Sequence, residues 1–342
     1  TPTPLSDEVL VLRTLSVPRT SFFRSNACDA LRCPHMRTRC DKLEAHSFNG
    51  FGHLSRLITM SLFSTPRNQV DRRDLLLLDP VFIADLHLSV DEPDTLKAFL
   101  AFLQAFHWDP RLQKAQELVI LGDLFDAWIG DDAGVNPLGV MDALANFART
   151  RRLFVMHGNR DFLLGKAFAR QVHARLIADP VVAILPDQTR LLLSHGDAWC
   201  TRDERYQAVR RKVRNPVAQA FLLSLPLWFR RRIARNARAK SQATKYQVND
   251  LSLLDVTPAV VAEAARAHQT PFVVHGHTHR PQMTPLLTAE SASRFTHSTH
   301  PEGLRVVLSD WVVHGNQVER GDYIVWDSGL PVRYSLANLM NR

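Results

Sequence analysis

The sequence predicts an α/β fold with a helical insertion, and two observations predict it. From Pro80 onward, short apolar runs of strand length alternate with segments of helical period. Strands that alternate with helices build parallel βαβ units. Between residues 203 and 268 the alternation stops, and helical sequence punctuated by Pro216, Pro226 and Pro258 takes over. That stretch reads as a cap inserted into the core.

Taken in order, residues 1–79 come first and mix Ser, Thr, Pro, Arg and scattered Cys without sustained period. They are expected to be an N-terminal extension, either disordered or added by a start misassigned upstream of Met60. Asp7, Glu8, Asp29, Asp41 and Glu44 argue against a transit peptide. Residues 80–342 are expected to form one domain, interrupted by the cap at about 203–268. Within it, residues 81–84 read as a buried strand ending at Asp85, and residues 95–107 as a helix. Residues 118–121 form a second strand running into Gly122-Asp123. Residues 141–149 are helical, and the strand at 153–156 leads to His157-Gly158-Asn159. Further strands are expected at 181–185, 191–194 and 272–274, with late β segments near 305–308 and 322–326.

Composition narrows the class. The chain has 342 residues, 45% hydrophobic and 22% charged, which is the balance of a soluble globular protein. No apolar run approaches the roughly 20 residues a spanning helix needs; the longest, 217–229, contains Pro226. The net charge of +8 is local, because residues 205–249 hold twelve Lys or Arg and no Asp or Glu. Such a stretch suits nucleic acid, a phosphate-bearing substrate or an acidic membrane surface, and equally a solvated helix face. Four cysteines are too few for a disulfide framework. Cys28, Cys33 and Cys40, with His35 among them, match no regular zinc spacing. Without a recognisable secretory signal, a reducing, cytoplasmic setting is the expectation.

The chemistry gathers at the strand ends: Asp85-x-His87, Gly122-Asp123, Gly158-Asn159, His195-Gly196 and Gly276-His277-x-His279. Ligands of open α/β sheets bind at the carboxyl ends of strands, so these segments should converge. One strand-end Asp or His is most often structural; five in order, each after a buried strand, are not. Two Asp, one Asn and four His make a mixed oxygen and imidazole set suited to Mn²⁺, Fe²⁺ or Zn²⁺ rather than Ca²⁺. Seven donors exceed the needs of one open catalytic metal and suit two that share a carboxylate.

The order D-x-H, G-D, G-N, H-G, G-H-x-H resembles the calcineurin-like metallophosphoesterase superfamily. Four segments narrow the match: Phe82-Ile-Ala-Asp-Leu-His-Leu, Gly122-Asp-Leu-Phe-Asp-Ala-Trp-Ile-Gly-Asp-Asp132, His157-Gly-Asn-Arg-Asp-Phe-Leu-Leu-Gly165 and His275-Gly-His-Thr-His-Arg-Pro281. They resemble the UDP-2,3-diacylglucosamine pyrophosphatase family of lipid A synthesis, over residues 81–326. The resemblance implies a β-sandwich flanked by helices, with the helical cap inserted. It implies two Mn²⁺, one held by Asp85, His87 and His279, the other by Asn159, His195 and His277, with Asp123 bridging. It also implies attack of an activated water on the α-phosphorus of UDP-2,3-diacylglucosamine, giving UMP and lipid X. Asp123, Asn159, Arg160 and His195 are the implied catalytic residues. Asn159, Arg160, Asp203, Ser241, Lys245 and His277 are the implied substrate contacts. Around residues 241–248 the sequence departs from the family pattern by an apparent one-residue shift, and the segment at 284–301 is longer than the family's.

Arg160 adds an argument of its own. Many phosphoesterases of this fold carry Gly-Asn-His-Asp/Glu, whose His can protonate an alkoxide. A departing phosphate needs little such help, and a permanently charged, bidentate Arg better neutralises a pyrophosphate. The alternative is a surface Arg paired with Asp161. In the cap, Leu222, Leu223, Leu225, Leu227, Trp228, Phe229 and Ile233 interleave with Arg230, Arg231, Arg232, Arg235 and Arg238. This combination suits two acyl chains and an anionic membrane surface, and is also compatible with a cap packing its apolar face on the core. His157 and His275 are expected to support or pack beside the ligands. The partners expected are therefore the lipid-linked nucleotide and the cytoplasmic face of the inner membrane, with no nucleic acid and a monomeric chain. The rival reading is a nuclease or other phosphodiesterase that uses the basic cap to hold a phosphodiester backbone.

Overall fold

The computed structural model describes residues 73–134, 136–247, 255–286 and 303–341, with the side chains of 240–247 outside that description. The chain divides into units of residues 1–55 and 56–342, and every described residue lies in the second. The expectations for residues 1–72, including Cys28, Cys33 and Cys40, fall outside the described residues.

The chain runs through β1 (Leu75–Leu76), β2 (Pro80–Ile83), α1 (Pro93–Ala105), β3 (Glu117–Ile120), α2 (Val140–Phe147), β4 (Arg152–Met156), α3 (Lys166–Gln171) and β5 (Arg175–Ile177). It continues through β6 (Val181–Ile184), β7 (Arg190–Ser194), α4 (Glu204–Val213), α5 (Pro216–Ser224), α6 (Leu227–Gln247) and α7 (Pro258–His268). The last part holds β8 (Phe272–His275), β9 (Gln282–Pro285), β10 (Leu304–Val307), β11 (Val312–His314), β12 (Gln317–Arg320), β13 (Asp322–Asp327), β14 (Leu330–Ser335) and α8 (Ala337–Met340).

Two six-stranded sheets carry the fold. One has the order β14-β13-β2-β3-β4-β5 and the other β1-β6-β7-β8-β10-β9. In the first, β2 to β5 are parallel, as the alternation with helices predicts, while β13 joins β2 antiparallel. The strands read as unbroken apolar runs because both faces are covered. Val81 and Ile83 face the helical layer of α1, α2 and α3; Phe82 and Ala84 face the second sheet across a core that includes Leu191, Leu193, Val274 and Val306. The result is a sandwich with helices outside. In α1, Leu96, Phe99, Phe102 and Leu103 repeat at three- and four-residue spacing and are all buried.

Three differences from the sequence reading have plain causes. The sandwich begins before Pro80, since β1 pairs with β6 and Leu75 and Leu77 are buried in the intersheet core. A two-residue strand has no period to read. Secondly, α7 is not part of the cap. It connects the parallel strands β7 and β8, a geometry that needs a crossover, and buries Val261, Ala262 and Ala265 against the outer face of the second sheet. The described cap is α4 to α6, with Pro216 in the first turn of α5 and Asn215 Oδ1 accepting from Val217 and Ala218 N–H at 2.8 and 3.3 Å. Thirdly, β9 and β10 pair antiparallel, so the long segment at 284–301 joins two adjacent strands. Its residues from 287 on are outside the described set.

Candidate metal centre

Both sheets contribute to one pole of the sandwich. Asp85 and His87 follow β2, Asp123 follows β3 and Asn159 follows β4. His195 follows β7, and His277 and His279 follow β8. Five of these seven adopt left-handed backbone: Asp85 (φ 55°), His87 (51°), Asp123 (51°), His277 (69°) and His279 (56°). A non-glycine residue there costs on the order of 1–3 kcal/mol and persists only where its surroundings over-determine it. Here the loops brace one another. Asp85 N–H donates to Gly122 O (3.1 Å), His87 N–H to Asp123 O (3.0 Å) and Gly276 N–H to His195 O (3.1 Å). Close approach explains two motif glycines. A Cβ on Gly158 would overlap Asp123, and one on Gly276 would overlap Asp85.

The side chains converge. Asp85, His87 and His279 each offer a donor atom within 4.8 Å of the others, and so do Asp85, Asp123 and His195. His87 Nε2 and His279 Nε2 stand 3.2 Å apart. Asn159 Oδ1 lies 3.0 Å from His195 Nε2 and 2.9 Å from His277 Nδ1. Asp123 looks both ways, with Oδ2 at 3.7 Å from His87 Nδ1 and Oδ1 at 3.9 Å from His195 Nε2.

This donor set fits a cation. His195 Nδ1–H donates to Leu121 O (3.0 Å), so Nε2 can meet the Asn159 oxygen only through a proton or a metal. Two nitrogens bound to one ion at about 2.1 Å would stand roughly 3.0–3.4 Å apart, the separation of the His87 and His279 nitrogens. Asp85 Oδ1 is buried with no hydrogen-bond partner among the described residues. Burial drives the Asp85 carboxyl well above its ordinary range, although His279 and His195 oppose this. For His195, burial disfavours the imidazolium, yet Asp123, Asp85, Asp197 and Asp179 together raise it to about 9. The centre is built to hold positive charge, and its cofactor is a divalent metal.

Two carboxylates that the sequence reading missed support these ligands. Asp161, fully buried, accepts from Gly158 N–H (2.7 Å) and Leu124 N–H (2.8 Å), locking the Asp123 and Asn159 loops together. Its carboxyl is pushed up, first by burial and then by Asp123. Asp310 takes His279 Nδ1–H at 3.0 Å, with Arg320 Nε 3.0 Å from its other oxygen. That fixes the His279 ring with Nε2 facing the centre. Asp161 sits in the Gly-Asn-Arg-Asp run and was within reach of motif reasoning; Asp310 follows β10, where no motif marks it. His157 and His275 are buried beside the ligand loops. His157 Nε2–H donates to Leu164 O (2.8 Å) and His275 Nδ1–H to Gly276 O (2.9 Å), and burial lowers both to about 4.

The remaining expected residues are spread more widely. Arg160 is not paired with Asp161. Its backbone N–H donates to Asp123 Oδ1 (2.9 Å), its Nε lies 3.6 Å from Asp123 Oδ2, and its Nη1 pairs with Asp126. Asp203 caps α4 by accepting from Tyr206 N–H (2.9 Å). Ser241 and Lys245 fall on α6 where side chains are outside the description. Helix α4 lies on the ligand loops through Asp197, which accepts from Tyr206 Oη–H (2.7 Å) and Arg210 Nε–H (2.8 Å). The Tyr206 ring lies 5.7 Å from that of His277, and Arg214 donates to Gly158 O (2.9 Å). The cap arginines divide. Arg230 is buried and donates to Asp132 and the Ile129 carbonyl, and Arg238 pairs with Asp126, so both are tied to the loop after β3. Arg231, Arg232 and Arg235 are exposed, as are Phe221 (67% exposed), Trp228 (66%), Phe229 and Ile233. No helix among the described residues is long and apolar enough to cross a membrane.

Comparison with known proteins agrees with this geometry. Residues 80–281 match the calcineurin-like phosphoesterase family, whose members are metal-dependent hydrolases. A UDP-2,3-diacylglucosamine hydrolase of Pseudomonas aeruginosa is 41% identical over 242 residues, 70% of this chain and 93% of that protein. Another of the same name from Chromobacterium violaceum is 43% identical over 249 residues, covering 72% and 94%. The chain belongs to the calcineurin-like phosphoesterases, in the family of the UDP-2,3-diacylglucosamine hydrolases.

Proposed function

We propose that this chain hydrolyses the pyrophosphate bond of UDP-2,3-diacylglucosamine, with water adding to the α-phosphorus and the bond to the β-phosphate oxygen breaking. The products are UMP and 2,3-diacylglucosamine 1-phosphate. The observation that carries the reading is Arg160, a permanent cation held against the shared carboxylate Asp123 at the edge of the centre. An alkyl phosphoester has no second phosphate for that guanidinium to receive.

Two Mn²⁺ suit the centre, one with Asp85, His87 and His279, the other with Asn159, His195 and His277. Asp123 is the bridge by likeness to the family, and its two oxygens lie 3.7 Å from His87 of one set and 3.9 Å from His195 of the other. When bound, such a pair supplies Lewis acidity and makes a nucleophile of water near neutral pH. The protein then has three tasks. Asp310 and the Leu121 carbonyl aim the imidazoles. Asp123 and Asn159 hold the two halves of the site together. Arg160 receives the charge of the departing phosphate, which leaves as a stable anion and so requires no proton donor.

Asp203, Ser241 and Lys245 are proposed substrate contacts on the cap, by likeness to the family. The exposed Phe221, Trp228, Phe229 and Ile233, with the exposed Arg231, Arg232 and Arg235, suit acyl chains and an anionic membrane surface. A cytoplasmic protein resting on the inner membrane follows from that reading. The test is purified protein with Mn²⁺, given UDP-2,3-diacylglucosamine beside a single-stranded oligonucleotide. UMP should appear and the oligonucleotide stay whole; cleavage of the oligonucleotide alone would overturn the reading.

A further inference from the structure

Four aspartates stand between residues 123 and 132, and the structure gives each a different task. Asp123 enters the metal centre. Asp131 caps the start of α3, accepting from Gly165, Ala167 and Phe168 N–H at 2.9, 2.9 and 3.0 Å. Asp132 holds Arg230 of α6. Asp126 is buried and takes two guanidiniums at once: Oδ1 pairs with Arg160, beside the centre, and Oδ2 with Arg238, on the cap. Arg230 and Arg238 are eight residues apart on α6, about 12 Å along the helix axis. One short loop therefore docks the cap helix at two points, and the second point is shared with the residue that faces the reaction.

The contacts of Arg160 matter here. Arg160 spans two carboxylates, with Nη1 on Asp126 and Nε 3.6 Å from Asp123 Oδ2, and its Nη2 makes no hydrogen bond among the described residues. We propose that Asp126 is a positioning residue, tying the aim of Arg160 to the docking of α6 through Arg238. The cation that receives the second phosphate is then assembled only with the cap in place. This rests on the pyrophosphate reading above, deepening it with a residue and a cap contact.

The test measures binding rather than turnover. UDP and UMP differ by the second phosphate, so calorimetry with both, in the presence of Mn²⁺, isolates its recognition. Asp126→Asn and Arg238→Gln should each weaken UDP by about 10- to 100-fold, the loss expected when a charge-assisted contact is misaimed, and UMP by less than about threefold. In an Arg160→Lys background, Asp126→Asn should weaken UDP by less than about a further threefold. Amide exchange over residues 227–239 should quicken in both single variants. Equal losses on UDP and UMP, or full additivity with Arg160→Lys, would show Asp126 to be merely structural. Arg238→Gln keeps the test open if the buried Asp126 variant fails to fold. Wild-type turnover of UDP-2,3-diacylglucosamine is measured alongside. No turnover with intact coupling would sink the proposed function and leave this inference standing.

Discussion

Left-handed backbone at Asp85, His87, Asp123, His277 and His279 places the local strain of the fold where the donor atoms are. Five such positions at about 1–3 kcal/mol each are tolerated because neighbouring loops hydrogen-bond to one another and His277 N–H reaches Asp85 Oδ2 from the other sheet. Part of this was legible in the sequence. The D-x-H, G-D and G-H-x-H patterns announce both the donors and the glycines that let backbone pass against a carboxylate. Asp310 was not legible, because its role arises from β10 lying beside β8, which no local pattern encodes. The bridging role proposed for Asp123 has a direct consequence. Asp123→Ala should abolish turnover and lower occupancy at both metal positions, as read by metal analysis after gel filtration; two full sites would refute the bridge. Arg160 makes a second prediction. Arg160→Lys and Arg160→His should cost about 2–4 kcal/mol in kcat/KM on the pyrophosphate substrate, or about 30- to 1,000-fold. On bis-p-nitrophenyl phosphate, which has no second phosphate, the loss should be much smaller. Equal losses would assign Arg160 to holding the Asp123 loop.

At the scale of elements, the basic cap turns out to be two surfaces. Its inner arginines, Arg210, Arg214, Arg230 and Arg238, are spent on Asp197, the Gly158 carbonyl, Asp132 and Asp126. Sequence could not separate these from Arg231, Arg232 and Arg235, because the acidic partners lie roughly 10 to 110 positions away along the chain, outside any window of charge patterning. The same limit hid α7, whose helical period looks like that of the cap until its partner sheet is known. What remains outward is apolar and cationic together. Fully burying one large apolar side chain is worth about 1.5–3 kcal/mol, so Trp228→Ser with Phe229→Ser should weaken binding to anionic vesicles by tenfold or more. Sedimentation with phosphatidylglycerol vesicles reads this. Unchanged binding would mean the face is not a membrane surface.

For the whole molecule, the metal centre is also the joint between the two sheets, so cation binding and stability should be linked through pH. With the metal chelated, three groups act in one direction. Burial raises Asp85 and Asp161 above the ordinary carboxylate value of 3.8, and the surrounding carboxylates raise His195 to about 9 against its own burial. A folded-state value above the unfolded one means protons held on folding. That stability is fully present below the unfolded value and is lost as pH rises through the folded value, at up to about 1.4 kcal/mol per pH unit per proton. The chelated protein should therefore weaken from about pH 6.5 toward pH 9. His157 and His275, lowered to about 4, act the other way below the ordinary value of 6.5, but they do so with or without metal and cancel in a comparison. A bound divalent ion removes the penalty by taking the carboxylates ionised and the imidazole neutral, and it binds better as those groups lose protons. At about 1,000 times its Kd a ligand adds about 4 kcal/mol, some 8–16 °C in Tm for a domain of this size. The gap between Mn²⁺-loaded and chelated protein should accordingly widen from pH 5 to pH 8 in thermal melts. A gap that stays constant or narrows over that range would show that these buried carboxylates and His195 are not where the cation binds.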